Sequence, residues 1–595
     1  MRLRVWAPRA QSVEVLLKDG GRVALAAEIE RPGWFAAIVP ALTHGTDYEL
    51  VLDNEEPVPD PRARWLRWGV HGPSRVWDPA SYEWADADWR GRDLADNAVL
   101  YELHVGTFTT PGTFDAAATH LAWLSELGIT HVELMPVAGF DGRWGWGYDP
   151  VAIDAVHEPY GGPEALCRFV DAAHGSGLAV VLDVVQNHLG PSGAHWQRFG
   201  PFLSGEVHRT PWGDAVNLDA PGSDDVREIL LSSAIGWLRD FHLDGLRLDA
   251  IHTLKDDRAL TYLEELGARV DEFSAEAGRP LALIAESDLN DPRFVTPREH
   301  GGIGLDAQWD DDIHHGLHWL LTGETAGYYA DFGSPQAVAY AIEHGFLHDG
   351  HWSSFRGRSH GRPIDFALVH PWRLVVALQT HDQIGNRASG ERLAGLVDVD
   401  RLAAGAALLL TLPYTPMLFM GEEWGASSPW MYFTAFADAE LGDAVSQGRQ
   451  QEFVGHGWEA DAVPDPQVPR TFSASKLDWD EAGSGEHAEL ATWYRSWLAL
   501  RVSDPPIGSA AAGPSSRPGE IECDWSRPVE VGERPAWFSI RRGTWRTVVN
   551  LSDGEVVIDL PEGRTDVVLD WRERARLEAS TLRLEARGTV VLRSL

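Results

Sequence analysis

The chain of 595 residues exceeds the roughly 250–300 residues at which one hydrophobic core stops growing, so it holds more than one domain. An apolar share of 44% with 23% charged residues fits a soluble globular protein. A formal net charge of -39 argues against nucleic acid and anionic membranes as partners and leaves a neutral ligand open.

Residues 1–90 read as short strands between turns. Arg2–Trp6, Ser12–Leu17, Trp34–Val39 and Asp47–Leu52 are rich in β-formers, and Gly-Gly, Pro-Gly and His-Gly pairs separate them. This pattern predicts a small β-sandwich. The first residues lack the apolar centre of a signal peptide, so the cytoplasm is the expected compartment. The stretch 53–96, rich in Pro, Trp and Asp, is expected to be an ordered linker.

From about Asn97 short apolar runs alternate with helical spacing. Eight runs stand out: Val99–Val105, Ile129–Met135, Leu178–Val184, Gly245–Asp249, Leu281–Ala285, Ile303–Trp309, Leu374–Leu378 and Met417–Met420. Helical patterns lie between most of them, as in Phe114–Leu127, Glu164–His174, Arg227–Phe241, Ala259–Ala277 and Arg401–Leu412. Such alternation predicts a (β/α)8 TIM barrel with insertions. The uncharged run Leu402–Met420 is long enough to test as a membrane span. Pro413 and Pro416 interrupt it, so it reads as a buried helix, a turn and a buried strand. Residues 90–96 and 422–478 carry no clear pattern.

A helix over Glu489–Arg501 precedes a Pro/Gly/Ser/Ala-rich linker, 503–519. The runs Ala536–Arg541, Trp545–Leu551, Glu555–Leu560, Thr565–Leu569 and Thr589–Leu592 then predict a second β-sandwich. The expected division is 1–90, 91–502 and 503–595. Cys167 and Cys523 offer neither a disulfide framework nor metal-ligand spacing. Tryptophan is heavily used, with 27 residues against 12 Tyr and 20 Phe. Flat rings stack on sugar faces, and several lie in Gly-rich polar loops such as Asp141–Tyr148, which favours a binding role.

The chemistry is sought at the C-terminal ends of the strands, where such barrels place it. The third run leads into Gln186-Asn187-His188, the fifth into Glu286-Ser287-Asp288, and the seventh into Gln379-Thr380-His381-Asp382-Gln383. Around the fourth lies Asp244-Gly-Leu-Arg-Leu-Asp-Ala-Ile-His252, where Gly245 is expected to end the preceding helix. In a strand, Leu246 and Leu248 share one face and Arg247 and Asp249 the other. That stretch alone leaves two readings: a structural ion pair, or a carboxylate held ionised to act as a nucleophile. Three carboxylates and two imidazoles on one rim are harder to explain as structure. Paired carboxylates are what glycosidic cleavage requires. No zinc-protease or phosphate-loop motif competes.

Asp183-Val-Val-Gln-Asn-His188, Gly245-Leu-Arg-Leu-Asp249, Glu286 after Leu-Ile-Ala, and Thr380-His-Asp-Gln-Ile-Gly-Asn386 resemble the four conserved regions of the alpha-amylase family of glycoside hydrolases. Arg4-Val-Trp-Ala-Pro8 resembles the start of the sandwich that precedes the barrel in branching and debranching members. The resemblance implies Asp249 as nucleophile, Glu286 as general acid and then base, and Asp382 as transition-state stabiliser. It implies that Arg247 orients Asp249, that His188 and His381 donate to the same sugar, and that Tyr148 stacks on it. For His252 reaching the leaving-group side, and for Trp146, Glu423 and Trp424 shaping the pocket around the leaving sugar's end, a structural and a binding reading stand equal. Asn187 matches a calcium-binding position of many amylases; the rest of such a site is not found, so no metal and no cofactor is expected.

Tyr101–Thr109, Trp144–Pro150, Phe419–Trp424 and Ser473–Trp479 resemble the members that release trehalose from maltooligosyl-trehalose. This implies an oligosaccharide partner and a place downstream of a synthase that builds the trehalose end. Two alternatives stand beside it: a branching or debranching enzyme of glycogen or starch, and a non-catalytic sugar-binding barrel.

Overall fold

The structure, a computed structural model, describes residues 1–595 except 206, 455–462, 504–520, 528–531, 562, 579 and 595. Apart from Ser503, the linker expected over 503–519 lies outside the described residues, as does part of the unpatterned stretch 422–478.

The N-terminal strands are β1 (Arg2–Trp6), β2 (Val13–Leu17), β3 (Arg22–Ala27), β4 (Trp34–Ile38), β5 (Asp47–Leu52) and β6 (Ser74–Arg75). They form one antiparallel sheet in the order β1-β4-β3-β2-β5-β6. Because β3 pairs with both β2 and β4, the sheet folds over a core that includes Leu3, Val15, Leu25, Phe35 and Leu50. β3 escaped the sequence reading because only Leu25 of its six residues is buried. Phe199, from a barrel loop, completes this core, and Trp34 Nε1 donates to Asp225 at 2.7 Å. The sandwich is thereby tied to the helix Ser223–Asp240, which feeds the fourth barrel strand.

The barrel strands are β7 (Leu100–Leu103), β8 (His131–Leu134), β9 (Ala179–Val184), β10 (Gly245–Leu248), β11 (Ala282–Ala285), β12 (Ala307–Trp309), β13 (Leu374–Ala377) and β14 (Thr415–Phe419). Each runs parallel to the next, and β14 closes on β7. All lie within the eight apolar runs except β14, which starts two residues early, at Thr415. The run 402–420 is a buried helix, Val399–Thr411, followed by β14. Among the described residues, no helix is long and apolar enough to cross a membrane. Leu100, Val181, Ile284, Ala307, Val375 and Met417 fill the barrel floor, and the charged inward residues stand above them.

Two local readings need correction. The pattern 114–127 is two helices, Phe114–Ala118 and Leu121–Leu127, because Thr119 turns its hydroxyl back onto the Ala116 carbonyl (2.7 Å). Gly245 does not end the helix before β10. That helix stops at Asp240, Phe241 caps it, and His242 takes a left-handed φ of 53°. Gly245 is instead a strand residue, and a Cβ there would stand 2.7 Å from the Ala282 carbonyl oxygen of β11.

After the long helix Gly485–Ser503, β15 (Ile521–Trp525), β16 (Trp537–Arg542), β17 (Trp545–Asn550), β18 (Val556–Asp559), β19 (Thr565–Asp570), β20 (Ala575–Glu578), β21 (Thr581–Leu584) and β22 (Thr589–Ser594) make the C-terminal sandwich. Its sheets run β15-β16-β17-β22-β19 and β18-β21-β20. β15, β20 and β21 were missed because charges interrupt their short apolar patterns. Arg572 and Arg574 clamp Asp400 of the barrel, and Thr411 meets Thr547 at 2.6 Å.

Gly245→Ala should lower stability by about 1–3 kcal/mol, since the clash is with backbone and not with a flexible side chain. A fall in the apparent melting temperature by calorimetry, with Gly175→Ala at an exposed helix end, where a Cβ meets nothing within 4 Å, as a comparison, measures it. An unchanged melting temperature for Gly245→Ala would remove the close-approach explanation.

Candidate active site

β10 delivers the central group. Its register sets Arg247 beside Asp183 of β9 on one side and Ile284 of β11 on the other. Alternation then aims Arg247 into the barrel, where it is fully buried. Its Nη1 donates to Asp183 Oδ2 and Asp249 Oδ1, both at 2.8 Å, and its Nη2 lies 3.5 Å from Glu286 Oε2. The guanidinium also sits 4.5 Å over the Trp309 ring.

Asp249 follows the last strand residue. Asn187 Nδ2 donates to both its carboxylate and its carbonyl oxygen, each at 2.8 Å. The next residue, Ala250, takes a left-handed conformation (φ 42°, ψ 48°) that non-glycine residues rarely adopt. This turn points the Ala250 N–H at Glu286 Oε2, 2.6 Å away. Glu286 N–H in turn donates to the Leu248 carbonyl (3.0 Å), so the ends of β10 and β11 are laced together.

Burial is the main cause that raises the Glu286 carboxyl, to about 8. Arg247 opposes the shift, while the Asp249 and Asp382 carboxylates reinforce it. At neutral pH Glu286 is therefore protonated, and Asp249 beside it is paired with a guanidinium. A protonated acid thus stands beside a carboxyl group bonded by a guanidinium.

His381 starts the short helix after β13. Its backbone N–H and Nδ1 both bond the buried Glu102 carboxylate of β7. Burial alone would lower the imidazole, but Glu102 and then Asp382 outweigh it and raise it to about 9. His381 is thus a cation, and its Nε2 lies 3.5 Å from Asp382 Oδ1. His188 is shifted the other way: burial lowers it, against the Asp249 carboxylate and the Tyr148 carbonyl, which raise it. Both His188 nitrogens face protein groups, Nε2 donating to the Tyr148 carbonyl at 2.8 Å and Nδ1 against Asn187. Its expected contact with sugar is therefore not made by a free nitrogen. Tyr148 packs its ring against His381 (centroids 5.0 Å apart) and donates its hydroxyl to Asp183 at 2.6 Å.

The remaining candidates divide. His252 lies on the cleft side, 3.8 Å from Asp288 and partly exposed. Trp146 stands behind His381, stacked on Trp430 (4.6 Å), with its Nε1 donating to Met431 O. Glu423 and Trp424 do not face the cleft. Glu423 is fully buried and accepts from Tyr101 Oη (3.1 Å) and Trp123 Nε1 (3.3 Å) on the outer side of the barrel wall. Trp424 packs on Trp479 in the same layer. A Trp or Glu after β14 looks alike in sequence whether it turns towards the cleft or towards the helices.

Two relatives named malto-oligosyltrehalose trehalohydrolase match the whole chain. One, from Rhizobium sp. (strain M-11), is 48% identical over 100% of this chain and 97% of its own length. The other, from Arthrobacter ramosus, is 50% identical over 100% of this chain and 99% of its own. The alpha amylase catalytic domain matches residues 79–200, and carbohydrate-binding module 48, the isoamylase N-terminal domain, matches residues 1–66. The chain belongs to the malto-oligosyltrehalose trehalohydrolases of the alpha-amylase family. A crystal structure of a Salmonella typhimurium protein named as an alpha amylase superposes with a TM-score of 0.88 at 37% identity, covering 100% of this chain and 97% of that one. Pullulanase from Paenibacillus barengoltzii (TM-score 0.72, 19% identity, covering 100% and 93%) shares the fold.

Several groups that this family member brings to the site were missed. Glu102 was not singled out, Asp183 was quoted only as the start of a motif, and Asn187 was weighed only as a calcium ligand, although an inward charge on an apolar strand was the signal that singled out Arg247. On the rim, Trp212 stacks on His188 (5.1 Å), Tyr328 meets Phe355 (5.9 Å), and Arg356 reaches Asp288 (3.4 Å). Among the described residues, one trio, His208, Asp219 and Asp257, brings possible metal ligands within 4.8 Å. Asp219 there accepts from His208 (2.9 Å) and from the Asp257 N–H (3.0 Å), which accounts for the grouping.

The raised Glu286 carboxyl predicts the alkaline limb of activity. The acid is present below about 8 and lost as pH rises through that value. A plot of log kcat/KM against pH should therefore bend near 8 and fall about tenfold per unit beyond it. A profile flat to pH 10 with the protein still folded would contradict a proton on Glu286.

Proposed function

We propose that the chain hydrolyses the α-1,4-glucosidic bond beside the terminal trehalose of maltooligosyl-trehalose, releasing trehalose and a shortened maltooligosaccharide. The single observation that carries the chemistry is Glu286, raised to about 8, next to an Asp249 held by Arg247 and Asn187. The substrate is supported by full-length relatives at 45–50% identity that carry the trehalohydrolase name.

In this reading Asp249 Oδ attacks the anomeric carbon as Glu286 gives its proton to the glycosidic oxygen, and trehalose leaves. The products of that step are a covalent glycosyl-Asp249 and a Glu286 carboxylate. The carboxylate takes a proton from water, whose oxygen displaces Asp249 and regenerates both groups with retention of configuration. Asp382, with the cationic His381 beside it, binds hydroxyls of the distorted sugar. Arg247 keeps Asp249 oriented, and Tyr148 offers its partly exposed ring to the same sugar. This reading assigns His252, Trp212 and Arg356 to the leaving sugar, supported by the contacts of His252 and Arg356 with Asp288 and of Trp212 with His188.

The enzyme would act after a synthase that converts the reducing end of a maltooligosaccharide into trehalose. The cytoplasm is the proposed compartment, in keeping with two cysteines that are not joined to each other. A branching enzyme from Burkholderia thailandensis is 30% identical over 75% of this chain, and water or sugar acceptors would use the same carboxylates.

The test is a product assay on maltooligosyl-trehalose, a maltooligosaccharide of equal length, and glycogen. Fast trehalose release from the first alone is expected. Glycogen gaining or losing branches, with maltooligosyl-trehalose ignored, would sink the substrate assignment and leave the family standing. Asp249→Ala and Glu286→Gln should each lower kcat by at least about 10³-fold without changing the circular dichroism spectrum. Normal turnover in either variant would overturn the assigned roles.

A further inference from the structure

Three consecutive aspartates, Asp310, Asp311 and Asp312, follow β12 and open the helix Asp311–Thr322. Two of them are spent on structure. Asp310 is buried and caps its own helix, accepting from the N–H groups of Asp312 (3.0 Å) and Ile313 (3.4 Å). Asp312 is also buried and accepts from Asn290 Nδ2 (2.9 Å) and from the N–H groups of Leu347 (2.9 Å) and His348 (2.8 Å). It thereby ties the loop after β11, which carries Asp288, to the segment that leads to Phe355 and Arg356.

Asp311 differs from both. It is partly exposed, and among the described residues one group bonds its carboxyl: Gln383 Nε2 donates to Oδ1 at 3.2 Å. Gln383 directly follows Asp382, and its amide oxygen is held in turn by the Thr380 N–H (2.8 Å). Asp311 is thus fixed beside the helix that carries Asp382, with Oδ2 left without a protein donor. One turn further along the helix, on the same face, the His315 ring packs on Tyr328 (4.8 Å), which meets Phe355 (5.9 Å). Burial, and then the Asp382, Asp312 and Asp288 carboxylates, raise the Asp311 carboxyl to about 7, against Arg356. Asp311 therefore lies between a group of the catalytic centre, Asp382, and the rim groups Asp288, Tyr328 and Arg356.

We propose, on the trehalohydrolase reading above, that Asp311 is a specificity-determining residue whose Oδ2 bonds a hydroxyl of the leaving trehalose. The chemistry at the anomeric carbon makes no use of it, since nucleophile, acid and stabiliser are Asp249, Glu286 and Asp382. Its anchored Oδ1 fixes the direction in which Oδ2 points. A carboxyl that titrates near neutrality can accept from a hydroxyl or donate to one. A fixed polar partner for a hydroxyl rejects a sugar that lacks that hydroxyl far more strongly than an apolar wall does. Trehalose and maltose differ in this respect, because their second glucose is joined through a different carbon and presents its hydroxyls in different places.

The test compares kcat/KM on maltotriosyl-trehalose with kcat/KM on maltopentaose, which has the same number of glucose units. In Asp311→Ala and Asp311→Ser, whose side chains end before the position of Oδ2, the ratio of the two should fall at least about tenfold, and the inhibition constant of trehalose should rise to match. Asp311→Asn keeps the length and the hydrogen-bonding groups and should hold the ratio within about threefold. An unchanged ratio in the two short variants overturns the proposal. So does an equal loss on both substrates, which would mean that Asp311 acts through Gln383 and Asp382 on the catalytic centre. A native enzyme that releases no trehalose from maltotriosyl-trehalose would defeat the functional reading itself, and this inference with it.

Discussion

One cation holds the site together. Arg247 is buried in the barrel with the Asp183, Asp249 and Glu286 carboxyl groups around it. A buried charge is costly unless paired, and an unpaired carboxylate at this depth is equally costly. A planar fork with several donors can serve two acids at hydrogen-bonding distance, which a lysine cannot do as well. Its reach is unequal, at 2.8 Å to Asp249 and 3.5 Å to Glu286. That difference leaves Glu286 the more weakly paired of the two and lets burial keep its proton. Barrel geometry thus sets the division of labour between two carboxyl groups of nearly the same chemistry.

The backbone supports this division. Ala250 sits in a left-handed conformation directly after Asp249, a position that costs about 1 kcal/mol or more for a residue with a Cβ. In exchange its N–H bonds Glu286 at 2.6 Å, and the turn carries the chain off the strand without disturbing Arg247. The same economy appears across the barrel mouth. Glu102 of β7 bonds both the backbone and the ring of His381, and so fixes the start of the helix that carries Asp382. Strand ends position the acids, and buried polar contacts between neighbouring strands remove their freedom.

Much of this was legible in the sequence because it obeys a period. All eight barrel strands stood out as apolar runs, since strands of a parallel barrel are buried on both sides and leave little room for polar residues. Arg247 and Asp249 stood out against that background. Glu102 and Asp183 carry the same signal, but their partners, His381 and Arg247, lie 279 and 64 residues away, and no local pattern joins them. Glu423 and Trp424 were left between two readings for a different reason. After Gly421 the chain leaves the strand in a short 3-10 turn, Glu422–Trp424, flanked by left-handed glycines, and strand alternation no longer says which way a side chain points. Gly245 was misread because glycine ends helices and admits close neighbours with equal ease, and only the packing of Ala282 against it distinguishes the two.

The three carboxylates cannot by themselves decide what the enzyme releases. In the proposed reaction Asp249, Glu286 and Asp382 act at the anomeric carbon, and that centre is the same whether the leaving group is trehalose or a longer glucan. Discrimination has to come from groups that touch the leaving sugar, and these lie off the strands. The hairpin 209–214 presents Trp212, 53% exposed, against His188, and in the segment 327–359 Tyr328 meets Phe355 while Arg356 reaches Asp288. Such excursions are held by fewer contacts than the barrel and can vary without moving Arg247. In that reading chemistry and selectivity occupy separate layers of this molecule. One layer is fixed by a buried cation, and the other is free to change above it.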